Sequence, residues 1–458
     1  TSPLMLTNNR RMQGTPDVDL YYGGQLTVGG NAPFPMGTFR YYVNESNPGR
    51  LLNTCENMSA EEASVRFSAA ANTWYFFTPL FDISLADIEV TNGASYVFRY
   101  YDAQNRAANG ASGSWKNVDS DKLLAGQGYI FHCNTACEIV MPADAAGQAT
   151  LFATKDVTRT LTVNESETTA NRSWNYVGNP YPCYYDIYYM DFTAPITVRT
   201  GSTYTAYSIA DDDLVLRPMQ SFFVQKPDAV DQIVFKKEGR QLTTSIAHGA
   251  SARAQAPAAS NRYLFNLVIV PTENTENTEN TEVSEVPEVP EATDLTRVVL
   301  NEQALMGYEL ERDAAKFFSL NAGVPQLFTV DGEGNSYAIN ERPVSDGLVT
   351  LGYYADREGF YTISATRADG TILLRDLEQN VTTDLTCEDY TFHSEATGST
   401  CQSRFQLIVG TGGETTGIEE ISSLKSQTSN LYDLQGRQTT ATQKGIYVKD
   451  GRKVVMTK

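Results

Sequence analysis

Histidine is scarce in this chain, and the catalytic motifs built on it are absent. Among 458 residues there are three histidines, His132, His248 and His393, with no His-Glu-x-x-His, Gly-x-Ser-x-Gly or Walker-type motif. His132 lies close to Cys133 and Cys137, so a Cys-His nucleophile pair is conceivable, but adjacent strand residues point to opposite faces. No pair of carboxylates stands out either. We therefore predict that this chain is not itself an enzyme.

Cysteine is also sparse. The six cysteines are too few for a disulfide scaffold and lack the spacing of a zinc site. Cys387 and Cys401 flank EDYTFHSEATGST, where a strand is expected to turn back and bring the two thiols face to face, so we predict a disulfide between them. Cys133 and Cys137 either form a small local bridge or stay reduced. The remaining two are expected to be buried free thiols: Cys55 and Cys183.

Basic residues are fewer than acidic ones, and long apolar runs are lacking as well. The 35 Lys and Arg against 55 Asp and Glu give a formal charge of -20, which repels phosphate backbones and argues against nucleic-acid partners. The best apolar run, YLFNLVIV at 263–270, is too short for a membrane helix, so no transmembrane segment is predicted. The chain opens at Thr1 without a basic-then-apolar leader, and we expect it to be a mature or truncated portion of a longer product.

The abundant residues form strands and turns. Tyrosine (26), phenylalanine (20) and glycine (33) are enriched together, and helical periodicity is weak even in SAEEASVRFSAAAN at 59–72. The predicted fold class is all-β, with tandem antiparallel β-sandwich modules and a small C-terminal β domain. Residues 1–45 carry short strands between glycine pairs, which suit either the last rungs of a β-solenoid or the first hairpins of a sandwich.

An internal repeat organises the middle of the chain. The first copy contains WYFFTPLFDISLADIEV and LLAGQGYIFHC, and the second contains WNYVGNPYPCYYDIYYM and LRPMQSFFVQK. In each copy a Trp opens an apolar strand that meets Pro79 or Pro180, which cannot donate to a ladder and should lie at a bend or an edge. Trp74 and Trp174 are interpreted as core anchors, and an exposed sugar-stacking platform is the alternative.

A third unit contains the acidic insert PTENTENTENTEVSEVPEVPEATD at 271–294, which cannot bury apolar surface and is predicted to be a disordered loop between neighbouring strands. Oxygen ligands at calcium-like spacing occur twice: Asp211-Asp212-Asp213 and Asp331-x-Glu333-x-Asn335. Neither completes a twelve-residue calcium loop, so structural calcium is a minor alternative and no cofactor is predicted. The predicted domains are 1–45, 46–150, 151–257, 258–412 and 413–458.

The end of the chain contains a further β pattern. GIYVK and RKVVM flank Asp450-Gly451, a two-residue hairpin turn, and NLYDLQGR precedes them. At these residues the chain resembles the C-terminal sorting domain of proteins exported by the type IX secretion system of Gram-negative bacteria; a terminal hairpin of the preceding domain is the alternative. The resemblance implies a sorting signal made of Tyr432, Leu434, Gly436, Arg437, Gly445, Tyr447, Arg452, Lys453 and Lys458.

The upstream units also resemble modules of secreted surface proteins from the same bacteria, in which W-x-x-x-x-N-P-Y-P segments recur before a GQGFFV-like strand. The repeat matches through Asn179, Pro180, Tyr181 and Pro182 in one copy and Gly126-Gln127-Gly128-Tyr129 in the other. The third unit matches a sandwich that often precedes the sorting tail, through Tyr308, Asp313, Lys316, Ala338-Ile339-Asn340 and Arg404-Phe405. These resemblances imply β-sandwiches placed outside the cell and no particular catalytic chemistry.

The expected function is therefore that of a secreted protein attached to the bacterial outer surface, with a structural, adhesive or binding role. Its expected partners are the outer-membrane secretion and attachment machinery and host or glycan ligands. The alternative is the non-catalytic accessory half of a secreted hydrolase acting on glycan or protein, whose catalytic domain lies upstream.

Overall fold

The computed structural model describes residues 4–7, 14–246, 262–272, 293–319, 321–396, 398–411, 431–432, 445–449 and 452–456. About 50% of the described residues are in strands and 8% are in helices, so the all-β class is confirmed. The described α-helices are α1 (Ala103–Asn109) and α2 (Ala145–Leu151). Neither they nor any other helix in these ranges could cross a membrane. Five short 3-10 helices lie at Leu85–Asp87, Thr91–Gly93, Thr169–Asn171, Ile187–Tyr189 and Lys237–Gly239.

The first six strands stack as two parallel ladders: β1 (Leu4–Thr7), β2 (Val18–Leu20), β3 (Gln25–Gly29), β4 (Phe34–Val43), β5 (Arg50–Asn53) and β6 (Met58–Ala69). One ladder is β1-β3-β5 and the other is β2-β4-β6, and all four pairings are parallel. Leu26 lies opposite Leu4 and Leu51, at offsets of 22 and 25 residues. Strands joined by short hairpins would pair antiparallel, so this region consists of stacked rungs. The parallel ladders extend beyond residue 45, the predicted end of the first domain, and reach Ala69.

The first repeat is built on the last rung. Its strands are β7 (Trp74–Phe77), β8 (Ile83–Ser84), β9 (Glu89–Val90), β10 (Tyr96–Tyr101), β11 (Trp115–Asn117), β12 (Lys122–Leu123), β13 (Tyr129–Cys133) and β14 (Cys137–Ala143). β14 pairs antiparallel with β6 of the rungs, while β11-β10-β13-β7 form a second, antiparallel sheet. One continuous apolar core runs from Leu20 through Phe67 and Phe131 to Phe152. The rungs and the first repeat therefore fold around a shared interior.

The second repeat has a core of its own. Its strands are β15 (Val157–Thr160), β16 (Trp174–Gly178), β17 (Tyr184–Asp186), β18 (Met190–Asp191), β19 (Ile196–Thr200), β20 (Thr203–Tyr207), β21 (Val215–Leu216), β22 (Ser221–Gln225), β23 (Gln232–Phe235) and β24 (Arg240–Gln241). They form the sheets β16-β22-β19-β20, β15-β23-β18 and β21-β17-β24. Pro79 and Pro180 lie just beyond the ends of β7 and β16, outside the ladders, as predicted.

The third unit is an eleven-stranded, nearly closed sheet. Its strands are β25 (Arg262–Thr272), β26 (Asp294–Asn301), β27 (Ala314–Ala315), β28 (Gln326–Val330), β29 (Ser336–Arg342), β30 (Leu348–Tyr354), β31 (Gly359–Ala368), β32 (Thr371–Asp376), β33 (Val381–Asp384), β34 (Tyr390–Ser394) and β35 (Cys401–Gly410). The strand order is β33-β32-β35-β30-β28-β29-β26-β25-β31-β34, and β27 pairs with β29. Apolar residues such as Phe265, Leu351 and Phe405 fill its interior.

The predicted acidic loop lies between two strands that pair directly. β25 and β26 are antiparallel neighbours, with Ile269 opposite Asp294. Pro271 and Thr272 still belong to β25, and Asp294 begins β26 with its side chain buried, so the strands extend into both ends of the stretch predicted as loop. Residues 273–292 lie outside the described ones.

Three strands near the end of the chain form a sheet of their own: β36 (Leu431–Tyr432), β37 (Gly445–Lys449) and β38 (Arg452–Met456). Lys449 pairs with Arg452, which is the register of the hairpin predicted around Asp450-Gly451. In the described ranges none of these strands joins the eleven-stranded sheet. Predicted sorting residues on these strands are Tyr432, Gly445, Tyr447, Arg452 and Lys453. Those outside the described residues are Leu434, Gly436, Arg437 and Lys458.

Candidate functional site at the junction of the units

An aromatic cluster joins the two repeats and the third unit. We call it the junction and define it as Tyr101 and Trp115 of the first repeat, Trp174, Tyr176 and Phe223 of the second, and Phe317 of the third unit. The Phe223 ring stacks on the Tyr176 ring at 4.2 Å and on the Phe317 ring at 4.6 Å, and contacts the Tyr101 ring at 4.9 Å. Because these rings come from three units, the units pack side against side.

The junction exists because β22 is apolar on both faces. Its sequence SFFVQ is buried throughout, as is typical of a strand covered on both sides. Phe222 points into the core of the second repeat, while Phe223 points the opposite way into the junction. Tyr176 lies directly opposite Phe223 on β16, so the two rings stack across neighbouring strands.

The Gly126-Gln127-Gly128 turn of the first repeat contacts β16 of the second. The Gly128 amide donates to the Tyr176 carbonyl at 2.7 Å, and Gln127 forms a β-bridge with Val177. A Cβ on Gly128 would lie 2.3 Å from the Tyr176 ring, which no side chain could tolerate. The motif singled out in the sequence therefore allows two backbones to approach closely.

The contact is reciprocal, because the second repeat also receives a strand end of the first. The Thr78 amide donates to the Met219 carbonyl at 2.9 Å, and within the first repeat the Thr78 hydroxyl holds the turn by donating to the Gln127 carbonyl at 3.0 Å. Met219 has φ of 59° and Gly126 has φ of 75°, at matching positions of the two copies. The equivalent turn of each repeat, at Gly126-Gln127-Gly128 in the first and at Met219 in the second, therefore forms a backbone hydrogen bond with the other repeat.

A cavity of about 430 Å³ lies beside this contact, between the turn of the first repeat and strands β15 and β16 of the second. Arg159 on β15 forms part of its wall. Two of its guanidinium nitrogens, Nε and Nη2, are buried and have no hydrogen-bond acceptor among the described residues. Burial lowers the pKa of Arg159 because it disfavours the charged form, and attraction to Asp82 and Tyr181 opposes this. Protein atoms cover both nitrogens almost completely, with Gly126 packed against the guanidinium, so these two atoms are closed to a ligand in the cavity.

Ion pairs fix the second repeat to the third unit. Asp211 accepts two hydrogen bonds from Arg262, at 2.7 and 3.0 Å, and Asp212 accepts two from Arg297, at 2.6 and 2.8 Å. Arg262 also binds Glu341 at 2.7 Å. The oxygens predicted as calcium-like ligands at 211 and 212 are therefore engaged by arginines.

The second calcium-like segment closes on itself. Asp331 accepts hydrogen bonds from the Glu333 and Asn335 amides, at 2.9 and 2.8 Å, and from the Tyr337 hydroxyl at 2.6 Å. Burial pushes the pKa of Asp331 upward, but these hydrogen bonds hold it below its usual range. The segment is a hydrogen-bonded turn before β29. In the described part of the chain no group of three or more His, Cys, Asp or Glu could hold a metal ion.

The hairpin predicted to bring Cys387 and Cys401 together does not form. β34 pairs with β31, whereas β35 pairs with β30 and β32, so the two segments are not neighbours in the sheet. Both thiols are free, with Cys387 exposed and Cys401 half-buried at the start of β35. The apolar alternation predicts both strands, but it does not specify which strand is the partner.

The remaining cysteines are buried and free. Cys55 and Cys183 lie in the cores, as expected. Cys133 ends β13 and Cys137 begins β14, and burial, with a hydrogen bond to Cys133, raises the pKa of Cys137 to about 12. His132 points to the opposite side of β13, where its ring packs 4.9 Å from that of Trp74. The Cys-His pair considered from the sequence is not assembled.

The two repeat tryptophans differ in burial. Trp174 is 2% exposed and its indole N–H donates to the Ala170 carbonyl at 2.9 Å, so it is an anchor, although it lies in the junction and not in the core of its own repeat. Trp74 is only half-buried, and its ring contacts are His132 and the Arg99 guanidinium, each at 4.9 Å. The interpretation as a core anchor is wrong for Trp74, because these two partners are polar.

The residues that carried the resemblance of the third unit form polar contacts. Lys316 pairs with Asp294 at 2.5 Å, Arg404 with Asp376 at 2.8 Å, and the Tyr308 hydroxyl donates to Gln225 of the second repeat. The Asp313 carboxylate accepts the Glu309 and Glu341 amides, and Asn340 binds Thr329. These residues therefore hold strands in register.

Arg159 and Phe317 had no recognisable signal in the sequence. Arg159 lies in the unremarkable strand VTRT, and Phe317 contacts Phe223 and Trp174, which lie 94 and 143 positions earlier in the chain. Only the packing of one unit on another reveals either residue. No protein-family model, curated protein or solved structure matches the chain.

Proposed function

We propose that the chain is a modular β protein, secreted and attached to the bacterial outer surface, with a structural, adhesive or binding role. The observation that carries the proposal is the junction, in which rings from three units pack with centroids 4.2 to 4.9 Å apart around Phe223. Aromatic pairs add about 0.5–1.5 kcal/mol each beyond the area they bury. Units held in this way keep a fixed arrangement, which suits a spacer or a preformed binding surface.

The ion pairs between the second repeat and the third unit support the same proposal. Arg297 is 5% exposed by its side chain and Asp212 is 17% exposed. Breaking one partner of a buried pair costs about 3–5 kcal/mol, because the other charge stays out of water. The pairs with Arg262 and Arg297 therefore hold the second repeat and the third unit in one orientation.

We propose further that the C-terminal strands are the export signal, with the outer-membrane secretion and attachment machinery as the partner. In the described ranges these strands pair only with one another, and the core of the third unit ends at Val409. A signal that is read by another protein has to be separable from the units it accompanies. Their independent sheet meets that requirement.

Deleting the chain from residue 417 onward in a bacterium that has a type IX secretion system tests the proposal. The expected result is an unchanged melting temperature for the purified upstream units and loss of the protein from the cell surface. The control replaces only Arg452 and Lys453 by alanine, which keeps both strands and tests the basic end alone. A large fall in melting temperature together with normal surface exposure would contradict the proposal, because it would show that these strands complete the third unit.

A further inference from the structure

We propose that the third unit binds an extended peptide segment rich in basic and apolar residues, and that this segment pairs as an added strand with the free edge of β34. The inference rests on the binding role proposed above and names the class of partner for it. It starts from the two ends of the strand order in the eleven-stranded sheet, which are β33 and β34.

These two ends are consecutive strands that do not pair. β33 ends at Asp384 and β34 begins at Tyr390, so only residues 385–389 connect them. Connections of this length commonly join the two strands of a hairpin. In the described ranges, however, β33 pairs with β32 and β34 pairs with β31. The nearly closed sheet therefore has one open seam, which the Tyr390 hydroxyl crosses to donate to Asp376 at 2.8 Å.

A cavity of about 790 Å³ lies along this seam. All five residues of β34 line it, and Glu378, Gln379 and Val381 line it from the side of β33. Thr391 and His393 of β34 are exposed, as are the three residues on the opposite side. The volume lies within the range of about 300–1,000 Å³ that is typical of binding sites. The edge of β34 is therefore open to a partner.

The backbone of β34 presents hydrogen-bonding groups along this edge. Arg404 lines the cavity and donates to the His393 carbonyl at 3.0 Å, so this carbonyl faces the cavity and not β31. In an antiparallel ladder the amide and carbonyl of one residue point to the same side, and residues two apart point alike. The amide and carbonyl of Thr391 and the amide of His393 therefore face the cavity, where no described strand lies alongside them.

The sequence of β34 does not protect that edge. Natural proteins commonly protect a free edge with lysine, with proline or with a covering segment, because its unpaired backbone groups are a template for another strand. The YTFHS sequence of β34 contains neither lysine nor proline. Adding a strand to such an edge is a recurring way of binding an extended peptide.

The charges around the cavity select the side chains of the partner. Glu378 and Glu395 line the cavity, and Glu358, which is 73% exposed by its side chain, lies beside the end of β34. Arg404 is the only lysine or arginine in the lining, and it already pairs with Asp376 at 2.8 Å. The rim is therefore acidic and attracts a basic partner.

Apolar surface lies on both sides of the seam. Phe360 of β31 and Val381 of β33 are 37% and 45% exposed, and both line the cavity. Covering these side chains would remove apolar area from water. A guest strand with basic and apolar residues thus matches the rim and the apolar surface, while its backbone pairs with β34.

Two pairs of variants separate strand addition from simple charge attraction. Thr391→Pro removes an amide that faces the cavity, and the pairing of β34 with β31 does not use this amide. Its matched control is Thr391→Val, which keeps the amide. Glu395→Gln removes one charge from the rim, and its control, Glu311→Gln, removes an exposed charge elsewhere in the same unit.

The experiment titrates the full chain and each variant by calorimetry with three acetylated hexapeptides. They are Lys-Val-Lys-Val-Lys-Val, its acidic counterpart Glu-Val-Glu-Val-Glu-Val, and the basic peptide with every backbone amide N-methylated, which cannot donate to a strand. Hydrogen exchange followed by mass spectrometry locates the bound peptide. Melting temperatures show whether each variant is folded.

We expect the basic peptide to bind about tenfold or more tightly than either of the other two. Thr391→Pro should weaken its binding by about tenfold or more, and Glu395→Gln by about two- to fivefold. Thr391→Val and Glu311→Gln should leave the affinity unchanged. Exchange at residues 390–394 should slow when the basic peptide is bound.

Equal affinity for the basic and the N-methylated peptide would overturn the inference, because charge alone would then explain the binding. Absence of binding by all three peptides, or slowed exchange only outside β34, would overturn it as well. Two results would assign the edge to another occupant. They are a dimer of the free chain that Thr391→Pro dissociates, which indicates a second copy, and binding that appears only after deletion from residue 417, which indicates the chain's own C-terminal segment. If the titrations fail while export still depends on the C-terminal strands, the seam is not a binding site and the proposed surface role stands.

Discussion

Replacing Trp174 by alanine is expected to destabilise the protein much more than the same replacement at Trp74, although the two residues occupy equivalent positions in the repeat. The Trp174 ring is 2% exposed, contacts the Phe317 ring at 4.9 Å and lies 5.3 Å from the Arg106 guanidinium. Its removal opens a cavity in the junction and leaves the Ala170 carbonyl without its N–H donor. The cost of a buried Trp-to-Ala change is about 3–5 kcal/mol.

Trp74 serves as the matched control. It is half-buried, and its ring contacts are His132 at 4.9 Å and Arg99 at 4.9 Å. A cation above an exposed ring contributes about 0.5–1 kcal/mol, so Trp74→Ala should cost about 1 kcal/mol. A third variant, Trp174→Phe, keeps an aromatic ring but removes the N–H group, and should cost about 1–2 kcal/mol.

Thermal and urea unfolding followed by circular dichroism measures these differences. Fluorescence is unsuitable, because the chain has only three tryptophans and each variant removes one of them. At about 2–4 °C per kcal/mol, Trp174→Ala should lower the melting temperature by roughly 10 °C, and Trp74→Ala by only a few degrees. Equal shifts for the two alanine variants would refute the assignment of Trp174 to a packed junction.

Two further predictions concern close backbone approach and a buried ion pair. Gly128→Ala should weaken the docking of the repeats and lower the melting temperature, because its Cβ would lie 2.3 Å from the Tyr176 ring. The control is Gly359→Ala, whose Cβ meets nothing within 4 Å and which should leave the melting temperature unchanged. Equal effects of the two variants would contradict the role of Gly128. Burial pushes the pKa of Asp376 upward, but hydrogen bonds, those from Arg404 in particular, hold this pKa below its ordinary value. The ionised Asp376 therefore stabilises the fold above about pH 4, and this stabilisation is lost as the pH falls through the lower pKa of the folded state. Arg404→Met leaves this carboxylate buried without a cation, although the Tyr390 hydroxyl and two backbone amides still donate to it. The variant should therefore cost about 3–5 kcal/mol at neutral pH and reduce that acid-dependent loss, as urea unfolding across pH would show.

Local sequence patterns predicted strands well and their partners poorly. The alternation in GIYVK and RKVVM, with Asp450-Gly451 between them, predicts β37 and β38 with the observed register. The same kind of alternation marks β34 and β35, yet these strands pair with others, and Cys387 and Cys401 are free thiols. Side-chain alternation reports which face is buried, and it carries no information about which neighbour lies alongside or in which direction it runs. The parallel rungs at the start of the chain could not be distinguished from hairpins for that reason.

The candidate site was less predictable than the fold. The Gly126-Gln127-Gly128 turn is visible in the sequence, but its purpose depends on Tyr176 of the other repeat. Asp211 and Asp212 suggest a cation site until Arg262 and Arg297 are placed beside them by a different unit. Each of these residues acts through a contact with a different unit, and the local sequence pattern around a residue contains only one of the two segments in contact.

The placement of the first and last strands of the third unit has a mechanical consequence. The chain enters that unit through β25 and leaves it through β35, and each of them lies between two partners: β26 and β31 for the first, β30 and β32 for the second. Tension applied between the second repeat and the end of the chain therefore pulls two interior strands along their own lengths. The hydrogen bonds on both sides of such a strand are loaded together, whereas an edge strand would peel away one bond at a time. We therefore expect the unit to resist tension applied along the polypeptide, and the rate of its forced unfolding is the quantity that would report this resistance.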